Sequence, residues 1–165
     1  MERTMKVLVA YATRYGSTGE VAEKIGEVMR SKGAEVDVAN IKDKPDPAGY
    51  DAAVVGGAVY IMMLSGKTKG FVAKHKKKLR DMPVAYFVLS GTMKDDTSEN
   101  REKIGSKLNP LKKKAEPVDV GLFGGAFDPS KGPKMMADEP ATDDRNWDAI
   151  AAWAEGVYEK FEGKK

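Results

Sequence analysis

Lys6-Val7-Leu8-Val9-Ala10-Tyr11, followed at once by Ala12-Thr13-Arg14-Tyr15-Gly16-Ser17-Thr18, is the stretch whose reading decides the fold. An apolar run that ends in turn-forming residues predicts a buried strand, and the hydroxyl- and glycine-rich loop after it predicts the opening of a helix. A helix start leaves its first N–H groups without partners and carries a partial positive charge, so an anion is stabilised there. Thr13, Ser17 and Thr18 add hydroxyl donors, Gly16 lets the backbone approach closely, and Arg14 supplies charge. Ser17 and Glu20 also spell a capping box, in which Ser17 caps the helix, Glu20 bonds back to it, and no ligand is involved. Local chemistry leaves both readings open, an anion site and a capped helix.

Strand-like runs alternate with helix-length amphipathic segments along the rest of the chain, the pattern of a parallel sheet with helices on both faces. Strands are expected near Lys6 to Tyr11, Glu35 to Asn40, Ala52 to Gly56, Val84 to Ser90 and Val118 to Phe123. A first helix, Thr18 to Lys32, places Val21, Ala22, Ile25, Val28 and Met29 on one face, with Gly33 as its C-terminal cap. Asp46 to Tyr50 reads as a weak helix or loop, and Lys67 to Arg80 as a helix that Pro83 stops. Ser98 to Lys113 reads as a helix that Asn109-Pro110 breaks. Gly124 to Asp144 shows no periodicity and reads as a long loop. The closing helix carries Trp147, Ile150, Ala151, Ala154, Val157 or Tyr158, and Phe161 on one face, with Thr142 to Asp144 as its cap. This order of elements suits a five-stranded sheet of order 2-1-3-4-5, whose crevice lies beside the first strand at the carboxyl ends.

The chain has 165 residues, which suits one domain over 1–165 and a proper core. It has no cysteine, which rules out disulfides, thiolate metal sites and a cysteine nucleophile. The apolar run after Met1 to Lys6 is too short for a signal peptide, and Ala52 to Leu64, interrupted by Gly56 and Gly57, is too short to span a bilayer. A cytoplasmic protein is expected. Only the tail, Glu162 to Lys165, reads as disordered. The net charge is +3, but lysines cluster at Lys74, Lys76, Lys77, Lys78 with Arg80, and again at Lys112 to Lys114. Solvated helix ends account for them; a docking patch for an acidic protein, an anionic lipid surface or an acidic substrate is the functional alternative. Nucleic acid is disfavoured because no aromatic residues interleave the clusters.

The hydroxyl-bearing loop after the first strand, with no G-x-G-x-x-G, resembles the phosphate loop of the flavodoxins. More narrowly, Tyr11-Ala12-Thr13-Arg14 with Gly16 and Thr18 resembles the flavodoxin-domain group that includes the quinone-dependent protoporphyrinogen oxidases of bacteria. The resemblance implies an α/β flavodoxin-like three-layer sandwich and FMN as cofactor. It assigns phosphate binding to Thr13, Arg14, Tyr15, Gly16, Ser17 and Thr18. It assigns ring contacts to Gly57, Ala58, Val59 and Tyr60 and to Ser90, Gly91, Thr92 and Met93. Gly57 to Leu64 is an apolar run that no hairpin or turn rule explains; a flat flavin ring would explain it, with Tyr60 as the stacking face and Met62 as a softer neighbour, and so would side chains that start the next helix and pack on the sheet. Met93 stands where many flavodoxins have an aromatic residue, which leaves one ring face more open. Asp95 and Asp96 would then lie near the ring and lower its potential.

Other motifs are weaker. Gly66-Lys67-Thr68 resembles the end of a P-loop, but Ile61 stands where its first glycine belongs. Asp95-Asp96 and Asp143-Asp144 read as helix caps rather than cation sites, so no metal is expected. His75, inside a lysine run, reads as solvated or half-buried, and no side chain is assigned a catalytic role. The expected function is an FMN-binding carrier that passes electrons between redox partner proteins, acidic ones if the lysines dock them. The alternative is an FMN-dependent oxidoreductase of the protoporphyrinogen oxidase or quinone-linked type, with peripheral membrane contact through the same lysines.

Overall fold

The computed structural model describes residues 4–132 and 134–164. In chain order the elements are β1 (Lys6–Tyr11), α1 (Ser17–Ser31), β2 (Glu35–Asn40), β3 (Ala52–Tyr60), β4 (Met63–Leu64), α2 (Gly66–Lys74), α3 (Lys76–Arg80) and β5 (Val84–Ser90). They continue with α4 (Ser98–Gly105), α5 (Asn109–Lys114), β6 (Asp119–Gly124), β7 (Ala126–Phe127), β8 (Thr142–Asp143) and α6 (Trp147–Lys164). The alternation of side chains along a strand explains the three layers. In β1, Val7 and Val9 belong to one core while Leu8 and Ala10 belong to the other. The first core is closed by α1 through Val21, Ala22, Ile25 and Met29, and by α6 through Ile150, Ala154, Val157 and Phe161. The second is closed by Phe71 and Val72 of α2, Leu79 of α3, Ile104 of α4 and Leu111 of α5.

The main sheet runs β2-β1-β3-β5-β6, all parallel, with β4 bonded antiparallel to β3. With the hairpin strand β4 set aside, this is the expected order 2-1-3-4-5. The direction of chain progress reverses between β1 and β3, so their carboxyl ends flank a crevice. Among the described residues no helix is long and apolar enough to cross a membrane.

Several boundaries differ from the expectation, each for a local reason. Ser17 is not the cap of α1: Gly16 holds that place in the left-handed region, φ 98°, with no side-chain cap bond. Glu20 turns away to Arg145 instead of bonding back. Strand β3 runs on to Tyr60 and turns through Ile61 and Met62, both left-handed at φ 48° and 60°, into β4. The apolar run is therefore a hairpin, one that glycine-based turn rules do not find. The helix over Lys67 to Arg80 is interrupted at His75, which is half-buried against Phe71 with ring centroids 4.8 Å apart. Burial pushes its imidazole below the usual histidine range. The expected break at Asn109-Pro110 is present, after one 3-10 turn over Ser106–Leu108.

Asp46 to Tyr50 forms no helix, and a 3-10 turn lies earlier, at Ile41–Asp43. Thr97, rather than Asp95 or Asp96, caps α4 by accepting the Asn100 N–H at 3.1 Å. Gly124 to Asp144 holds the two-stranded β7–β8 pair, and Asn146, not Thr142 to Asp144, accepts the Ala149 N–H at the start of α6. Glu162 and Gly163 are helical rather than loose; Lys165 lies outside the described residues, as do Met1 to Arg3 and Pro133.

Candidate functional site

At the start of α1 the chain builds a cradle of donors. The Thr13 hydroxyl accepts the Gly16 N–H at 2.8 Å, which folds the loop back on itself. The Glu20 N–H reaches the Gly16 carbonyl at 3.4 Å. Among the described residues, the N–H groups of Ser17, Thr18 and Gly19 donate to no protein acceptor. Three unfilled donors at a positive helix end, beside the hydroxyls of Ser17 and Thr18, are the physical requirement for holding a phosphate.

The cradle opens into a cleft of about 260 Å³ between the carboxyl ends of β1, β3 and β5. Of the residues expected there, Thr13, Arg14, Tyr15, Ser17, Thr18, Ala58, Val59, Tyr60, Ser90 and Gly91 line it. Gly16 shapes the loop without lining the cleft. Gly57 faces the other way, where an added Cβ would meet the Thr68 hydroxyl at 2.2 Å. The Thr92 N–H donates to Ser90 Oγ, and Met93 is buried, lining a neighbouring groove with Lys94 and Arg101.

An aromatic cluster forms one wall. The Tyr15 ring meets Tyr60 edge-on at 6.4 Å and Phe127 at 6.3 Å, and the Arg14 guanidinium lies 5.1 Å from the Tyr60 centroid and 5.6 Å from that of Tyr15. Tyr60 also points its hydroxyl at Met136 Sδ, 4.0 Å away. Next to the lining residues Tyr60 and Met136, the chain exposes apolar side chains at Ile61, 78 %, Met63, 67 %, and Met135, 90 %, which form a rim.

Sequence reasoning missed the wall made by β7 and β8: Gly125, Ala126, Phe127, Met136, Thr142 and Asp144 all line the cleft. Two-residue strands carry no readable periodicity; the one available signal was Phe127, the single aromatic residue of that loop. Arg145 locks this wall to α1. Its Nε and Nη2 donate to the two Asp143 carboxylate oxygens at 2.9 and 2.8 Å, and its Nη1 to the Ser17 carbonyl at 3.3 Å and to Glu20 Oε1 at 3.2 Å. The guanidinium also lies 4.8 Å from the Trp147 ring centroid. Hydrogen bonds from Arg145 hold the Asp143 carboxyl below the usual carboxylate range. Asp95 and Asp96 do not line the cleft, and Asp96 is paired to Arg101 at 2.6 Å. The acidic residue in the lining is Asp144, which also lines the neighbouring groove.

Residues 8–132 match the Flavodoxin domain family. The chain belongs to the flavodoxin domain family. Solved flavodoxins agree on the fold. Oxidised flavodoxin 1 of Bacillus cereus shares 16% identity over 94% of this chain and 97% of its own, with a TM-score of 0.62. Two-electron reduced flavodoxin of Megasphaera elsdenii shares 14% identity over 93% and 98%, with a TM-score of 0.63. Protoporphyrinogen IX dehydrogenase [quinone] of Escherichia coli strain K12 is 32% identical over 85 residues. That match covers 50% of this chain, and the chain spans about half, 47%, of the length of that relative.

FMN is the cofactor that membership of the flavodoxin family implies. The donor set fits it: unfilled N–H groups and hydroxyls suit the phosphate, and a cleft walled by Tyr60, Tyr15 and Phe127 with backbone at Ser90 and Gly91 suits a flat ring with polar edges. The lysine clusters stand apart from this site. Lys74 to Arg80 precede β5 and Lys112 to Lys114 precede β6, so both lie at the amino end of a parallel sheet whose cleft is at the carboxyl end. The two clusters meet, with Arg80 Nε donating to the Lys114 carbonyl at 2.5 Å.

Proposed function

We propose that this flavodoxin-domain chain, acting as one domain, holds FMN in the β1–β3–β5 cleft and works as a cytoplasmic carrier of single electrons between protein redox partners. The observation that carries this is the cradle of Ser17, Thr18 and Gly19 N–H groups opening directly onto an aromatic-walled cleft. Bound there, FMN supplies the redox chemistry. The chain's own residues divide the remaining work. Thr13, Ser17 and Thr18 hold the phosphate, Arg14 offsets its charge, and Tyr60 covers the ring. Ser90 and Gly91 present backbone groups to its edge, and Phe127 with Met136 keeps water from one side. Asp144 supplies the negative charge near the ring that Asp95 and Asp96 were expected to supply, and like-charge repulsion from it disfavours added electrons. The exposed Ile61, Met62, Met63 and Met135 make the rim a surface for partner contact.

Titration of the purified protein with FMN tests this reading. Flavin fluorescence is expected to be quenched at one site per chain and the protein to turn yellow; a colourless protein that leaves FMN fluorescence unchanged refutes it. The similarity to the quinone-linked dehydrogenase supports a second reading, an FMN-dependent oxidoreductase acting on a small substrate. Turnover of protoporphyrinogen with a quinone, in the absence of any other protein, would replace the carrier reading with that one.

A further inference from the structure

Arg145 is unusual among the charged residues of this chain in being almost wholly buried as a side chain, 8 % exposed, while the two carboxylates that it pairs with remain open to solvent. Four hydrogen bonds from its guanidinium are spent on two different parts of the molecule. One edge grips Asp143 on β8, and Nη1 reaches the first turn of α1 at the Ser17 carbonyl and Glu20. Among the described residues, these two contacts of Nη1 are the hydrogen bonds between α1 and the segment that joins β6 to α6. Each side of the bond carries part of the cleft: Ser17 and Thr18 on one, Thr142 and Asp144 on the other.

The charge of Arg145 has a second effect. Glu20 lies in the first turn of α1, the same turn whose N–H groups face an incoming phosphate. Left alone, its carboxylate, with that of Asp143, opposes a dianion at that spot. A guanidinium shared between them removes most of this opposition, and its planar fork fixes the separation between β8 and α1.

We propose that Arg145 is the positioning residue of the phosphate site: it neutralises Glu20 and Asp143 beside the α1 cradle and couples the β7–β8 wall to that cradle. The role rests on the flavin reading for its ligand, but its mechanical half is a property of the flavin-free protein. It predicts that phosphate recognition depends on Arg145 more strongly than ring recognition does.

The experiment compares FMN with riboflavin, which has the same ring and no phosphate, by fluorescence titration of wild type, Arg145→Gln, Arg145→Lys and the double variant Glu20→Gln/Arg145→Gln. Arg145→Gln is expected to weaken FMN by about tenfold or more and riboflavin by less than about threefold. Arg145→Lys, which keeps the charge and loses the fork, recovers part of the loss, as does Glu20→Gln in the Arg145→Gln background. Equal weakening of both flavins, or no weakening of either, overturns the proposal. A second measurement uses the flavin-free protein: hydrogen exchange at the Glu20 amide, bonded to Gly16, and at the Asp144 amide, bonded to Gly125, should accelerate together in Arg145→Gln. Acceleration at one amide without the other overturns the coupling. A wild type that leaves FMN fluorescence unchanged refutes the flavin reading and the phosphate half of this proposal with it, and the hydrogen-exchange comparison then decides the mechanical half.

Discussion

A single hydrogen atom at Gly124 lets the far wall of the cleft close. A Cβ there would lie 2.3 Å from the Asp144 carbonyl oxygen, a backbone atom that cannot swing aside as a side chain would. Gly124→Ala is therefore expected to push β8 away from the sheet, destabilising the protein by about 1–3 kcal/mol in urea denaturation and weakening FMN in the same preparation. Gly16 makes a useful contrast, because an added Cβ there meets nothing within 4 Å and only its φ of 98° opposes substitution. The two glycines were not equally legible. Gly16 sits in a local pattern of hydroxyls at a strand-to-helix junction, so its role follows from its neighbours. Gly124 matters because of a residue twenty positions away, and no local pattern encodes that approach. Arg145 was hidden for the same reason: its partners Ser17 and Glu20 lie at the other end of the chain.

The β3–β4 hairpin shows where element-level rules fail. Two-residue turns that require positive φ favour Asn-Gly, and this one uses Ile61 and Met62. A β-branched residue in the left-handed region carries a steric cost of about 1–2 kcal/mol. Ile61 is 78 % exposed, so little packing offsets that cost. Replacing Ile61-Met62 by Asn-Gly should stabilise the protein by about 1–2 kcal/mol, read as a higher melting temperature in the flavin-free form. An unchanged or lower melting temperature would mean that the rim contributes contacts beyond those described. The long elements were readable because burial on both faces, or a 3.6-residue period, is written over many positions. The β7–β8 pair has two residues per strand, too few for any period to register, which is why this wall of the cleft was read as loop.

At the scale of the whole molecule, the alternation of strand and helix specified a parallel sheet with helices on both faces, the resemblance to flavodoxins implied its order, and the order located the cleft. It also separates two kinds of surface. A seven-residue strand such as β5 spans about 20 Å, so the merged lysine surface stands about two Debye lengths from the flavin cleft at physiological salt. Reversing Lys112, Lys113 and Lys114 to glutamate should change FMN affinity by less than about twofold at about 0.15 M salt, measured by the same fluorescence titration. A tenfold change would mean that the two ends of the sheet communicate. The mouth of the cleft is different in kind, because three of its exposed apolar side chains, Met62, Met63 and Met135, are thioethers. Thioethers are converted to polar sulfoxides by peroxide and restored by reductases, whereas an aliphatic rim is inert. Met62, Met63 and Met135 therefore give the proposed contact surface a chemical lifetime: under oxidising conditions its greasiness is consumed from the outside inward, while the cradle of amides and hydroxyls behind it does not age.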